Sequence, residues 1–401
     1  MGTDCKFASR ETDNELLQKI NSLAINYLFK SINKKEISCL LLTGSVANCE
    51  GTVLRTDSST VVASDFDFVV YMNLINYLRN RRQFPKLSSE ISDYIVKNNV
   101  DTHVVFLPLC KALQRIPGLG NSSIYEYEFS FGGKCMFGTK PSLNNKARPT
   151  EKDALELTFT VIGDLIFSNS ESLSVEEKIY VYSKRALTLL NSLLIFNKIF
   201  AITYKERITN AKNLGKLNCL SENELRTLAA YTDFKLSGEL KPLLTSLNFS
   251  NVEDLIVFQK DFLKNFAVKI LYIELSIFSK KSYASKFSIQ EMENELPKLL
   301  LEYYNKYNLS FTSRFNGLAL YLISSLSLNT QKRELFATFI FYNRSPKSIL
   351  NIINALFLIE NDHKKTVKIL KEVFSWVKFS DESSISNLRQ IWEIAQQSIK
   401  L

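Results

Sequence analysis

Residues Ser64 to Tyr71 read Ser-Asp-Phe-Asp-Phe-Val-Val-Tyr, and few folded arrangements accommodate that alternation. A helix would scatter its acids and phenylalanines around the circumference, whereas a strand sends Asp65 and Asp67 to one face and Phe66, Phe68 and Val70 to the other. The segment is therefore expected to be a half-buried strand with an acidic face. Two strand positions span roughly 6–7 Å, a separation at which carboxylates can share two divalent ions about 3.5–4 Å apart. Upstream, Leu40, Leu41 and Leu42 read as a buried strand that ends in Thr43, Gly44 and Ser45. A Gly-Ser pair between a strand and a helix lets backbone N–H groups and a hydroxyl approach phosphate oxygens, although either motif alone is also ordinary turn or strand-edge chemistry.

Taken in order, these residues resemble the nucleotidyltransferase superfamily that includes DNA polymerase beta, the poly(A) polymerases and the aminoglycoside nucleotidyltransferases. The family pattern is an apolar strand, Gly-Ser, a spacer, an Asp-x-Asp strand and a third acid on a later strand. Here it falls on Gly44 and Ser45, on Asp65 and Asp67, and, for the third acid, on Asp101 within Val100 to Phe106. Glu126, Glu128 and Asp93 are the competing acids. Glu126 and Glu128 lie on an alternating stretch that a half-exposed strand explains, and Asp93 lies in an expected helix. The spacer is longer than in most of the family. Its apolar arms Val53, Leu54 and Val61, Val62 around a polar centre read as an inserted β-hairpin. The resemblance covers about the first third of the chain.

What the resemblance implies is an α+β N-terminal nucleotidyltransferase domain, a mixed sheet flanked by helices over 1–145; the near loss of strand signals beyond it adds the expectation of an all-α helical domain over 150–401. It implies a pair of Mg²⁺ (or Mn²⁺) ions on Asp65, Asp67 and Asp101, and a nucleoside triphosphate, ATP by expectation, held by Gly44 and Ser45. The family also has a helix after the catalytic sheet that contributes to the triphosphate. Lys184 and Ser192, with Arg185 between them, have the residue types for it, and an amphipathic surface stripe is the alternative. Tyr204 has two readings, a base-stacking ring or a buried helix-end tyrosine. The expected reaction transfers a nucleoside monophosphate, AMP by expectation, to a hydroxyl of a small molecule or protein and releases pyrophosphate. A template-independent polymerase or cyclic-oligonucleotide synthase and a noncatalytic nucleotide-binding module remain as alternatives.

Composition bounds the rest. The net charge of +9 suits a triphosphate-binding protein but is not concentrated in one segment, so nucleic acid is not indicated. His103 and His363 are the two histidines, which leaves too little material for a His-rich metal site. The six cysteines lack paired zinc spacing and read as buried free thiols. Met1 to Arg10 has no apolar core and the apolar runs are short, so a cytoplasmic protein with no membrane contact is expected.

Periodicity divides the chain. Asp13 to Phe29, Leu74 to Arg82 and Ser89 to Lys97 read as helices, as does Leu109 to Arg115. Tyr125 to Phe137 reads as two strands about Gly132 and Gly133. Lys140 to Thr150, with Pro141 and Pro149, reads as a linker. Beyond it, helices are expected at Glu156 to Phe167, Val175 to Phe200, Glu222 to Leu228, Asn251 to Ile277 and Ile289 to Tyr307. Five more are expected between Arg314 and Ser398, with two subdomains dividing near 278–287.

Overall fold

A computed structural model describes residues 6–55, 60–97, 100–110, 112, 123–140, 148–167, 173–216, 220–279 and 288–308. The chain forms two compact units. The first comprises 1–116, 120–153 and 172–261, and the second 117–119, 154–171 and 262–401. The first therefore holds the whole described sheet together with helices from beyond the expected linker, 141–147 of which lie outside the described residues.

Among the described residues the sheet has strands β1 (Ile37–Thr43), β2 (Val53–Arg55), β3 (Thr60–Met72), β4 (Val100–Cys110) and β5 (Lys134–Gly138). β3 runs antiparallel to β1 and β2 and parallel to β4, while β5 pairs antiparallel with β1. The hairpin read from the spacer is present: Val53 pairs with Val62, Leu54 with Val61 and Arg55 with Thr60. β4 pairs with both ends of β3, so β1 and β2 share its other edge. β2 takes residues 60–62 and β1 takes residues 67–72. Residues 63–66 lie between them.

The two faces of the sheet differ chemically, as the alternation demands. Phe66, Phe68 and Val70 pack with Leu40 and Leu42 beneath helices α1 (Glu11–Ser31) and α4 (Phe84–Val96). α4 reaches the sheet through apolar residues a turn apart, Phe84, Leu87, Ile91 and Ile95, all buried. On the other face Cys39, Leu41, Val69, Tyr71 and Leu109 pack with Phe129. The acids Asp65 and Asp67 occupy the same face nearer the start of β3, where burial is incomplete.

Two short helices, α2 (Gly44–Ala47) and α3 (Leu74–Asn80), follow β1 and β3. Residues 123–131 depart from expectation: they form helix α5 (Ser123–Phe131), not a strand. The Tyr-Glu-Tyr-Glu-Phe alternation that imitates a strand also places rings four residues apart. Tyr125 lies 6.1 Å from Phe129 and Tyr127 lies 4.7 Å from Phe131, centroid to centroid, pairs that support a helix. β5 alone survives of the expected two strands. The expected helix at 109–115 does not start at Leu109, since β4 continues through Cys110; residues 111 and 113–115 lie outside the described residues.

From residue 150 onward every described element is a helix. Within the first unit these include α7 (Val175–Phe196), α8 (Tyr204–Lys216), α9 (Glu222–Ser237) and α10 (Leu240–Leu247), after α6 (Glu151–Phe167). Capping boxes at Ser174 and Ser221 start α7 and α9, satisfying N–H groups that a helix start leaves free. The second unit contains most of α6, the later part of α11 (Val252–Phe278), and α12 (Ile289–Asn308). There Tyr303 packs between Phe159 and Phe278, at 5.7 and 5.3 Å. The five helices expected after Arg314 lie outside the described residues.

Candidate active site

Strand alternation brings Asp65 and Asp67 onto one half-exposed face, and the end of β1 closes against them. Thr43 pairs with Asp67 in the ladder and its hydroxyl donates to the Asp67 carbonyl oxygen at 3.1 Å. Gly44 follows with φ +73, a left-handed conformation in which a Cβ would lie 3.3 Å from Asp67 Oδ2. Glycine is required there both for the backbone angle and for the approach of the carboxylate. Ser45 is half-buried in the next position, and its carbonyl accepts from Glu50 N at 2.9 Å, which folds the chain back toward β2. The sequence-predicted pairs Gly44–Ser45 and Asp65–Asp67 are thus brought together.

Lys184, from α7, joins them: its Nζ lies 3.5 Å from Asp65 Oδ2, with side chains 41% and 42% exposed. Burial works against the Lys184 charge, but attraction from Tyr180, Asp65, Tyr204 and Asp67 outweighs it and holds the pKa above the ordinary lysine value. Ser192, two turns further along α7, is fully buried. Eight residues of helix carry it about 12 Å along the axis from Lys184, so the structure does not bring the two together at Asp65.

Asp101 lies on the same face of β4 but pairs with Val61, near the start of β3. The β4 residue against Asp65 is His103, whose Nδ1 is 3.7 Å from Asp65 Oδ1. Among the described residues, no group of three His, Cys, Asp or Glu side chains converges as a metal cage. The donor set present is a pair of carboxylates on an open face. Mg²⁺ is commonly held in this way, by one or two carboxylates completed by substrate phosphates and water. The residues therefore fit an ion shared with a bound phosphate chain.

Behind Asp65 lies a polar cluster that sequence reasoning missed. Lys235 of α9 is fully buried, and its Nζ donates to the Glu50 carbonyl at 3.1 Å, Thr52 Oγ1 at 2.6 Å and Ser64 Oγ at 3.1 Å. The rings of Tyr180 and Tyr204 lie 5.2 and 5.1 Å from the ammonium, within cation–π range. Burial lowers the Lys235 pKa from 10.5 to about 8, with Tyr204 opposing, Lys184 adding to the fall, and Glu50 and Asp65 opposing. Tyr180 places its hydroxyl 3.4 Å from Ser64 Oγ, and burial raises its pKa. Tyr204 is thereby resolved as a buried helix-start tyrosine, also covered by Arg207 at 4.8 Å. The Glu50 carboxylate caps α8 through Tyr204 N at 2.9 Å and Lys205 N at 3.3 Å. Burial nevertheless raises its pKa, against those hydrogen bonds and the charges of Lys235 and Arg207.

Glu126 and Glu128 sit on α5, where a two-residue spacing no longer places them on one face. Asp93 lies in α4 as expected. A separate open cleft of about 760 Å³ lies by β2 and α10 and does not include the carboxylates. Arg10 and Arg55 at its rim are both paired with the buried Asp13, at 3.0 and 2.5 Å. Among the described residues, no helix is long and apolar enough to cross a membrane. Comparison of the chain with protein-family models, curated proteins and solved structures finds no match.

Proposed function

We propose that this protein is a nucleotidyltransferase that moves a nucleoside monophosphate, AMP in the simplest case, from a nucleoside triphosphate to a hydroxyl of a small molecule or protein. The observation that carries the reading is the closure of the Gly44–Ser45 turn on Asp67, with Asp65 beside it on the same strand face. An Asp-x-Asp strand and a Gly-Ser turn are each weak signals, but their convergence in space supports the resemblance read from their order.

In this reading Asp65 and Asp67 hold Mg²⁺ or Mn²⁺, two ions by the resemblance, together with the phosphates of the nucleotide. When bound, the metal neutralises phosphate charge and favours ionisation of the acceptor hydroxyl. The Ser45 hydroxyl and nearby N–H groups orient the terminal phosphates. Lys184 neutralises Asp65 in the free protein and supplies a positive charge to the triphosphate once the carboxylate is engaged. Asp101 is the third acid by resemblance, and His103, two residues further along β4, is the one beside Asp65. The acceptor proton then passes to whichever of the two faces the incoming hydroxyl, so Asp101→Asn and His103→Gln distinguish them.

The test incubates the pure full-length chain with each labelled triphosphate, Mg²⁺ or Mn²⁺, and a cell extract. Metal-dependent labelling of an acceptor, with release of pyrophosphate, supports the reading. Labelling that persists unchanged in Asp65→Asn and Asp67→Asn overturns it. Elongation of the product with repeated nucleotides would instead identify a polymerase or cyclic-oligonucleotide synthase.

A further inference from the structure

On the face of the sheet that also carries Asp65 and Asp67, β1 and its edge neighbour β5 bring two cysteines together. The sulfurs of Cys39 and Cys135 are 3.8 Å apart. Their proximity depends on an irregularity in the ladder. Leu40 pairs with Phe137, but the next residue, Leu41, pairs with Cys135, so β5 carries one extra residue, Met136. In an unbroken antiparallel register Cys135 would stand opposite Leu42, on the face away from Cys39. The one-residue bulge moves it opposite Leu41, which shares the Cys39 face.

The two thiols have unlike surroundings. Cys39 is 1% exposed among Leu41, Val69, Tyr71, Leu109 and Phe129, whereas Cys135 is exposed at the sheet edge. This corrects the expectation of buried thiols for Cys135. We propose that Cys39 and Cys135 form a redox-active dithiol site that reacts with a low-molecular-weight disulfide of the oxidised-glutathione class. The order of events follows from access. The Cys135 thiolate attacks one sulfur of the small disulfide, breaking its S–S bond, releasing one small thiol and leaving a mixed disulfide on Cys135. Cys39 then gives up its proton to solvent and attacks the Cys135 sulfur, expelling the second small thiol. The protein dithiol loses two electrons and the small disulfide gains them.

Supporting this order, burial and then the neighbouring Cys135 push the Cys39 thiol up to about 12, with Lys140 opposing, so Cys39 is the poorer first nucleophile. Its role is that of resolving thiol: the attack is intramolecular, on a neighbour whose sulfur lies 3.8 Å away in the dithiol, and such proximity offsets a small thiolate population. The non-bonded sulfurs need only close to about 2.05 Å. The bridge would fix the edge strand to β1, the strand that ends at Thr43, just before Gly44 and Ser45.

The experiment treats the full-length protein with oxidised glutathione and follows intact mass and cysteine-containing peptides. The expected result is loss of two hydrogens and a single cross-linked peptide pair joining Cys39 to Cys135. In Cys39→Ser a glutathione adduct should accumulate on Cys135, while in Cys135→Ser the Cys39 thiol should remain unmodified over the same time. A wild-type adduct that persists on Cys135, a bridge to a different cysteine, or no reaction at Cys135 while the urea-unfolded chain reacts would each overturn the proposal. None of these outcomes depends on nucleotidyl transfer.

Discussion

Replacing the buried ammonium behind Asp65 by Lys235→Met separates two opposed contributions. The substitution keeps a flexible side chain of similar length but removes the charge and three donated hydrogen bonds. Thr52 Oγ1 still donates to the residue-235 carbonyl at 2.5 Å, and Ser64 Oγ still accepts from Thr52 N at 2.9 Å. The Glu50 carbonyl loses this donor. One buried acceptor left without it costs about 1–3 kcal/mol, and the lost contacts to two tyrosine rings add roughly 1 kcal/mol. Against this, burial lowers the pKa from 10.5 to about 8, so at neutral pH holding the charged form costs about 3 kcal/mol. The terms nearly cancel, and the variant should lie within about 2 kcal/mol of the parent at pH 7.

The pH dependence carries the sharper result. Because the folded pKa of Lys235 is below the unfolded value, the unfolded chain binds more protons between the two, and the lysine's contribution to stability rises with pH across that window. The parent should therefore gain roughly 2 kcal/mol on the Met variant by about pH 9.5. Urea midpoints of both proteins, followed by circular dichroism at pH 7 and at that higher pH, measure the gap. A gap that does not move with pH, or a variant that loses more than about 4 kcal/mol at pH 7, would refute the assignment of Lys235 as a charge held at a desolvation cost.

Four further outcomes are expected. Asp65→Asn and Asp67→Asn should each abolish metal-dependent transfer with unchanged circular dichroism, since each relieves the repulsion between two nearby carboxylates and the half-exposed Lys184–Asp65 pair lost in the first contributes at most about 1 kcal/mol. Gly44→Ala should cost about 1–2 kcal/mol in a urea titration, because φ is +73 and the new Cβ meets Asp67 Oδ2, and calorimetry should show weaker nucleotide binding. Ser45→Ala should weaken triphosphate affinity by about 1.5–3 kcal/mol, the worth of a hydrogen bond to a charged group; unchanged calorimetry would leave the serine as a turn residue. Leu54→Ala, at 1% exposure in the root of the inserted hairpin, should cost about 2–5 kcal/mol, whereas a mobile ornamental insertion would tolerate it.

The parts of this fold legible in the sequence are those whose cause is local. The Asp65–Phe68 alternation fixes strand and face at once, and the apolar arms of the hairpin carry their own register. Long helices such as α7 show their stripe and their Ser174 cap. α8 was missed because its sequence, Tyr204 to Lys216, has little apolar content and its start is capped by Glu50 from 154 residues away. α5 was misread because a short alternating run satisfies both periods, and only the i,i+4 ring pairs distinguish them. Lys235 could not be identified: in sequence it is one more lysine near a helix end, and its burial depends on acceptors from Glu50, Thr52 and Ser64.

The interrupted edge of β3 explains why these distant residues meet. β1 stops at Thr43, opposite Asp67, and β2 begins at Val53, opposite Val62, so the edge of residues 63–66 faces the connecting segment instead of a strand. That segment meets it with Thr52, whose carbonyl accepts from Ala63 N at 3.1 Å and whose N–H donates to Ser64 Oγ. Ser64 points to the core side and ties this junction to Lys235 and Tyr180, while Asp65, the next residue, points to the open side and meets Lys184. Tyr180 and Lys184 are one helical turn apart on α7, so one helix secures both sides of the strand at the place where its ladder is broken. The carboxylate face therefore depends on α7 and α9 for its shape and for its charge, and the long spacer between Ser45 and Asp65 supplies the acceptors that let a lysine be buried there.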